Sequence, residues 1–494
     1  KSILSLIIKF LKFWNESYHY KIIIGKNRFK IQASVISMSN PKIIMNNLED
    51  VIKSLKSKTL RVCVIGIGRI GLPTALSFAN SGLDTIGVDI NENLVNDINS
   101  KKFPLKDEPG YDEIFDTVLK NKKFTVTTKI DEAVPKSDLI LLSLPTPMDE
   151  NNIPDYSALR NVASKLSDIL SPNSLVIVES TIEPGFIEDE MVSIISKSGK
   201  LNVEENFFIG VCPENANPGE ILHDFTNLPR LVGGINYDIT KIIKEIYNFV
   251  FSVELIEMPN CKTANAVKLT TNVFRDINIA FVSELSLMFE KLGIDTNKVL
   301  EAAKKKYNFQ VHYPGSGVGG PCLPINSYQL LNTAKRTGSN LSIIESGRKI
   351  NEKMPEHVIQ LTSDAFDESG KSINNSKILI LGVSYKPNVK DIQLTPAEEI
   401  IRKLQNLGSK IHIYDPYYSS NEVFGITVEK NIDDIISSVD AVIIVTAHDE
   451  FKKIPVSIFT KMNKPILIDT RGIIEPKDVK EQKIIFRGLG RGDF

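Results

Sequence analysis

The stretch PGSGVGGPCLP, Pro314 to Pro324, brings four glycines and three prolines up to one cysteine, Cys322. Glycines there let the backbone turn with φ > 0 or approach a ligand closely, but their spacing is not that of a dinucleotide-binding turn. On residue type alone, Cys322 is either a small packed hydrophobe or a thiol with a task. Lys268 and Asn272 stand four apart in CKTANAVKLTTNVFRDINIAFVSELSLMFEKLG and so share one helical face. Their neighbours Val267, Leu269, Val273 and Ile277 predict a largely buried helix, and a buried lysine needs a partner or a function. Thr146, Thr181 and Glu214 follow the apolar runs of DLILLSLPTP, SLVIVESTIEPG and FFIGVCPENANPGE. Ligands of open parallel sheets sit at the carboxyl ends of strands, so these three are expected to face one crevice. For Thr146 the alternative is a Pro-flanked turn residue.

The elements that would position these groups are legible around them. LRVCVIGIGRIGLPTALSFANSGLDTIGVDIN reads strand, glycine turn, helix, strand. Its turn, Gly66-Ile67-Gly68-Arg69-Ile70-Gly71, is a GxGxxG: Gly66 for the tight turn, Gly68 for approach of a pyrophosphate, Gly71 for close helix–strand packing. The N–H groups that open the helix, Ile70 and Gly71 among them, are expected at the phosphates. Asp89 ends the second strand, 21 positions after Gly68, where a carboxylate can accept from a ribose 2′-OH and repel a 2′-phosphate. That favours NAD over NADP. After about Ser372 a second α/β pattern appears in SKILILGVSYKP, TPAEEIIRKLQNLG, KIHIYDP, AVIIVTAHDEF and PILIDTRG, without a GxGxxG. Two nucleotide-type units joined by a long helix imply a cleft between them, with a different nucleotide in each half. The expected architecture is α/β: two doubly wound Rossmann-like domains joined by a central helical domain. Expected boundaries are an N-terminal extension over 1–57, a nucleotide domain over 58–250, a helical domain over 251–371 and a second nucleotide domain over 372–494.

Composition narrows the class. With 59 basic and 60 acidic residues the net charge is −1, which argues against a nucleic-acid binder. Four cysteines in 494 residues are no disulfide framework and point to a reducing, cytoplasmic setting. The six histidines show no paired-ligand spacing, so no metal site is expected. The opening KSILSLIIKFLKFW is too short and too interrupted by Lys9 and Lys12 for a membrane span; it reads as an extension, with a membrane-surface anchor as the other reading and Met38 as a natural start.

From about Thr59 to Arg487 the chain resembles the UDP-glucose/GDP-mannose dehydrogenase family. GIGRIGLP, LPTP, STIEPG, CPEN, PRLVGG, NAVKLTTN, GVGGPCLP, SYKPNVKD, AHDEF and IDTRG occur in family order. The GPCLP variant and TPAEEI are most similar to the UDP-N-acetylmannosamine dehydrogenase branch. The resemblance implies oxidation of a nucleotide sugar's C6 alcohol to a carboxylate with two NAD⁺, a small-molecule UDP-sugar as substrate, and a homodimer or larger homo-oligomer. It gives Cys322 a role: its thiolate adds to the aldehyde, and the adduct is oxidised to a thioester that water hydrolyses. Lys268 then stabilises the developing oxyanion, Asn272 holds a sugar hydroxyl or water, and Glu214 positions the hydrolytic water with Thr181 nearby, Thr146 and Thr181 also lining the cofactor. Gly319 brings backbone to the sugar, Lys386 and Arg471 contact phosphate or sugar, and Arg230 is either a substrate contact or fold support. Departures are Asn326 where many relatives carry Asp, and Gln393 and Gln310 where many carry Arg. The rival sugars are UDP-N-acetylglucosamine, UDP-glucose and GDP-mannose. Rivals of other kinds are a nucleotide-sugar-binding protein without chemistry, and a 3-hydroxy acid dehydrogenase, which needs neither the cysteine loop nor a second nucleotide domain.

Overall fold

The computed structural model describes residues 43–492 and, as backbone, a hairpin of strands β1 (Tyr20–Gly25) and β2 (Arg28–Ala33). The apolar run Lys1–Trp14 and Met38 lie outside the described residues. Within the stretch expected as an extension, a helix over Leu48–Lys56, N-capped by Asn47, buries Val51 and Leu55 in the core of the first domain.

That domain is built on β3 (Arg61–Ile65), β4 (Asp84–Val88), β5 (Phe124–Thr127), β6 (Leu139–Leu142), β7 (Ser174–Val178), β8 (Phe207–Val211), β9 (Arg230–Gly234) and β10 (Leu255–Met258). They form one sheet in the order β10-β9-β8-β7-β6-β3-β4-β5. The strands LILL, SLVIV and FFIGV are buried at every position because helices cover both faces, which is why they are continuous apolar runs rather than alternating ones. The order reverses at β3, with β4 on one side and β6 on the other, so a crevice opens at their carboxyl ends. Helix α1 (Gly71–Asn80) fills the crossover from β3 to β4 and stops at Gly82, whose φ is +95°. One feature was not expected: β9 runs antiparallel to β8 and carries β10 with it.

Helix α2 (Cys261–Lys291) follows β10; with no internal Gly or Pro it extends roughly 46 Å. Asn260 caps it by accepting from the Thr263 N–H at 2.9 Å. The glycine loop then leads into α3 (Leu323–Thr337) and the Pro355-containing α4 (Ser342–Ser369). A buried polar knot ties the three helices: Asp276 of α2 accepts from Ser327 of α3 at 2.7 Å and from Arg348 and Asn351 of α4 at 2.9 and 2.7 Å. The last domain is a five-stranded parallel sheet in the order Lys410–Tyr414, Lys377–Leu381, Ala441–Ile444, Ile466–Asp469, Ile485–Gly488. The two Rossmann-like sheets with a helical domain between them are the architecture expected from the sequence. Among the described residues no helix is long and apolar enough to cross a membrane.

Candidate active site

The glycine turn fits a dinucleotide. A Cβ on Gly71 would stand 1.8 Å from the Gly66 carbonyl oxygen, so only glycine lets α1 start this close to β3. A Cβ on Gly68 would meet nothing within 4 Å, which marks the open side of the turn. The N–H groups of Gly68, Arg69 and Ile70 have no acceptor among the described residues, and Ile70 at the N-cap of α1 offers no side-chain cap. Unpaired donors at a helix start suit a pyrophosphate. Asp89 stands at the lip, accepting from the Ile67 N–H at 3.0 Å and the Asn91 N–H at 2.9 Å, and remains half-exposed. Its counterpart in the last domain, Asp415, is fully buried and turned inward to the Val383 N–H and His448, out of reach of a ribose. Asp89→Ala is expected to weaken NAD⁺ binding about tenfold, the scale of a lost hydrogen bond to a charged group, and to narrow the preference over NADP⁺. Titration calorimetry with both dinucleotides checks this; unchanged affinities would remove Asp89 from the ribose.

Across the crevice, the loops after β6, β7 and β8 deliver Thr146, Thr181 and Glu214 side by side, since those strands are neighbours. Thr146 Oγ1 donates to the Thr181 carbonyl at 3.0 Å. Glu214 Oε1 accepts from the N–H groups of Asn215 and Ala216 at 2.7 and 2.8 Å. Its other oxygen lies 2.8 Å from Arg230, in an ion pair not aligned as a hydrogen bond. The reversed β9 explains that pair: running antiparallel, it places its first residue, Arg230, toward the carboxyl end of β8, from which the loop carrying Glu214 leaves. Arg230 is 2% exposed and sits between the rings of Phe225 and Phe251, at 4.2 and 4.1 Å from their centroids. Burial pulls its pKa down, but Glu214, Cys212 and Glu179 outweigh that and raise it. Of the two roles open to Arg230, support behind Glu214 fits this burial.

Lys268, 7% exposed, extends from α2 and donates to Asn215 Oδ1 at 2.7 Å. Burial holds its ammonium below the ordinary lysine range, against the pull of Cys322 and Glu214, with the Arg275 guanidinium also within electrostatic reach. Cys322 is the N-cap residue of α3 and the one exposed cysteine of the four. Cys63 and Cys212 are buried, and burial pushes each thiol up to about 12. Cys261 is buried too and pushed well above the ordinary thiol value. Asn272, one turn on from Lys268, donates from Nδ2 to Asn326 Oδ1 at 2.6 Å.

The last domain closes the cleft. Lys386, half-buried, has its pKa lowered by burial, with Glu220 and Cys322 acting the other way. Arg471 has no carboxylate partner among the described residues, and burial lowers its pKa with only Asp469 opposing. The loop glycines pack on this domain: a Cβ on Gly319 would lie 2.3 Å from the Leu394 carbonyl and one on Gly320 2.6 Å from the Tyr385 ring. Gly320 N–H donates to the Gln393 carbonyl at 2.9 Å. The structure adds two residues that sequence reading passed over. Arg275 lies seven positions after Lys268 on the same helix, a spacing that could have flagged it. Gln329, three after Asn326, is fully buried and donates to the Thr181 carbonyl at 3.1 Å. Among the described residues no group of three or more His, Cys, Asp and Glu could hold a metal ion.

Cys322, Lys268, Asn272 and Glu214 therefore converge where a dinucleotide cradle meets a second nucleotide-type domain. Three sequence profiles of one family match in order: its NAD binding domain over residues 60–250, its central domain over 262–353 and its UDP binding domain over 379–476. A UDP-N-acetyl-D-mannosamine dehydrogenase of Pyrococcus horikoshii is 32% identical, the match covering 88% of this chain and 100% of that one. A UDP-N-acetyl-D-glucosamine 6-dehydrogenase of Salmonella typhi is 30% identical, over 85% of this chain and 98% of the relative. The solved structure of the Pyrococcus horikoshii UDP-D-ManNAc dehydrogenase superposes with a TM-score of 0.81 at 32% identity, covering 88% of this chain and 100% of that one. The NDP-N-acetyl-D-galactosaminuronic acid dehydrogenase of Methanosarcina mazei gives 0.78 at 28% identity, over 90% and 98% of the two chains. Matching such enzymes from end to end in sequence and in fold, the chain belongs to the UDP-glucose/GDP-mannose dehydrogenase family.

Proposed function

We propose that this protein, an NAD-dependent nucleotide-sugar dehydrogenase, oxidises the C6 hydroxyl of UDP-N-acetyl-D-mannosamine to the carboxylate through a thioester on Cys322. The observation that carries the reading is the one exposed thiol, set at a helix start with Lys268 and Lys386 in electrostatic reach while the other cysteines are buried. Gly66, Gly68, Ile70, Gly71 and Asp89 hold NAD, with Thr146 and Thr181 along its path; when bound it accepts the hydride of both oxidations. Lys386 and Arg471 hold the diphosphate side of the sugar nucleotide.

The side chains account for the rest. In the first oxidation the C6 hydroxyl loses its proton to water, and the Lys268 ammonium stabilises the oxygen as charge develops. The Cys322 thiolate then forms a C–S bond to the aldehyde carbon, making a thiohemiacetal that cannot leave the cleft. Loss of a second hydride from that carbon gives the thioester. Glu214, held beside Arg230, orients the water whose oxygen replaces sulfur at the carbonyl. The sum is one alcohol, two NAD⁺ and one water to one carboxylate, two NADH and three protons.

UDP-N-acetylglucosamine is the second reading, because a relative 30% identical over 98% of its length carries that name. A panel of UDP-N-acetylmannosamine, UDP-N-acetylglucosamine, UDP-glucose and GDP-mannose with NAD⁺ separates them. The expected result is two NADH per sugar acid, fastest with UDP-N-acetylmannosamine; one NADH with free aldehyde, or no turnover on any sugar, would sink the reaction. Phe274, Phe281 and Met288 stand exposed at seven-residue intervals along α2, an apolar stripe that fits a second copy of the chain. Sedimentation of the same preparation reads whether the mass is one chain or a multiple. Four unpaired thiols fit a reducing, cytoplasmic setting.

A further inference from the structure

Three side-chain amides run in line from α2 to the first domain. Asn272 Nδ2 donates to Asn326 Oδ1 at 2.6 Å, Asn326 Nδ2 to Gln329 Oε1 at 3.1 Å, and Gln329 Nε2 to the Thr181 carbonyl at 3.1 Å. Asn326 and Gln329 are buried, so neither of these two can exchange its partner for solvent. The end of the run decides its direction. A backbone carbonyl only accepts, so Gln329 must turn its NH2 toward Thr181. Its oxygen then faces Asn326, which must answer with its own NH2, and the same holds one step further for Asn272. Amide oxygen and nitrogen are ordinarily told apart by such networks, and here a single carbonyl orders all three. Asn272 Oδ1 is left without a donor among the described residues.

We infer that Asn326 and Gln329 are positioning residues that lock the Asn272 amide with its carbonyl oxygen left for the ligand. Beside the Lys268 ammonium, a donor, stands a fixed acceptor, so a hydroxyl or a water can accept from one and donate to the other. This rests on the reading of Lys268 and Asn272 as the substrate-facing pair. In this lock Asn326 acts as a neutral link, accepting from Asn272 and donating to Gln329, with no acidic proton to transfer.

Isosteric acids test it. The side chain of Asn326→Asp can still accept from Asn272, but as a carboxylate it has nothing to donate to Gln329 Oε1, and Thr181 prevents Gln329 from turning round. Protonated, it donates there and the run is whole. Gln329→Glu behaves in the same way at the Thr181 carbonyl. The ionisable groups around the run are Cys322, Lys268 and Arg275 on the cleft side, Asp276 paired with Arg348 behind it, and Tyr156 and Glu183 in the first domain. The two cations favour a carboxylate. Glu183 and burial oppose it, while Arg348 offsets Asp276. A buried acid facing an oxygen is held protonated above its ordinary range. Relative to wild type each variant therefore loses stability progressively from the ordinary carboxyl value up to that raised pKa, and loses activity as the pH rises through it.

The experiment follows Tm and kcat/KM of wild type, Asn326→Asp and Gln329→Glu between pH 5.5 and 8.5, with UDP-N-acetylmannosamine and NAD⁺. The Tm gap to wild type should widen by about 3 °C or more toward alkaline pH. The kcat/KM ratio should fall to about 10²-fold below wild type, the scale of a misplaced ligand contact. Two Tm gaps that stay flat with pH overturn the lock. A widening gap with a flat kcat/KM ratio overturns its action on Asn272. A wild type that turns over no nucleotide sugar sinks the proposed reaction instead, and the Tm series still decides whether the amides are locked.

Discussion

Cys322→Ser should leave nucleotide binding intact and lower production of the sugar acid by about 10⁴–10⁶-fold, the loss seen when a nucleophile that works with its neighbours as a unit is removed. The substitution keeps the size of the side chain at the N-cap of α3, and the groups expected to hold the two nucleotides lie elsewhere. In the proposed reaction the first oxidation needs only the alcohol, the hydride acceptor and the Lys268 charge, so a first turnover should survive in part. The second needs an adduct on a strong nucleophile, and a serine hydroxyl at its ordinary pKa is a weak one. An ester, if formed, also hydrolyses more slowly than a thioester. Glu214→Gln should stop later still, with the sugar acyl group retained on Cys322 and visible as added mass on the intact protein. Near-normal acid production by the serine variant would end the covalent mechanism.

Lys268→Met should lower kcat by about 10²–10³-fold, the cost of losing one donor at a developing oxyanion. Methionine fills nearly the same space, so a loss of this size reports charge rather than packing. The wild type carries a second signature. Burial holds Lys268 below the ordinary lysine range. Its charged form, and the rate that depends on it, are therefore lost as the pH rises through that lowered value. The methionine variant has no ammonium to lose and should lack this alkaline limb. Stopped-flow measurement of the first NADH across pH compares the two; a variant within about threefold of wild type, with the same limb, would take Lys268 out of the chemistry.

What the sequence made legible was local or periodic. The turn from Gly66 to Gly71 and the acid at Asp89 announce themselves because their spacing is set within one strand–helix–strand unit, where Gly71 packs on the Gly66 carbonyl and Asp89 accepts from Ile67. Lys268 and Asn272 could be paired because four residues make one helical turn. Four of the five strands of the last domain's sheet were readable from their apolar runs; the edge strand Ile485–Gly488, short and only partly buried, was not. The reversal of β9 was not, since a short buried strand has the same composition in either direction. The partnership of Arg230 with Glu214 follows from that reversal and shared its invisibility. Gln329 was missed for another reason: its partner is a backbone carbonyl of Thr181, and every residue has one. The packing of Gly319 and Gly320 against Leu394 and Tyr385 was not legible, since those partners lie far along the chain.

That packing bears on when the protein becomes reactive during its synthesis. Tyr385, Leu394 and Arg471, against which Gly320, Gly319 and Gly315 fit, are all C-terminal to Cys322. A ribosome therefore makes the sulfur well before it makes the surface that fixes the sulfur's place. Until the final sheet has emerged and docked, the loop has no wall to fold against, and the thiol belongs to a flexible glycine segment. A product truncated before the last domain would carry the dinucleotide cradle and the cysteine, but not the surface against which Gly315, Gly319 and Gly320 pack.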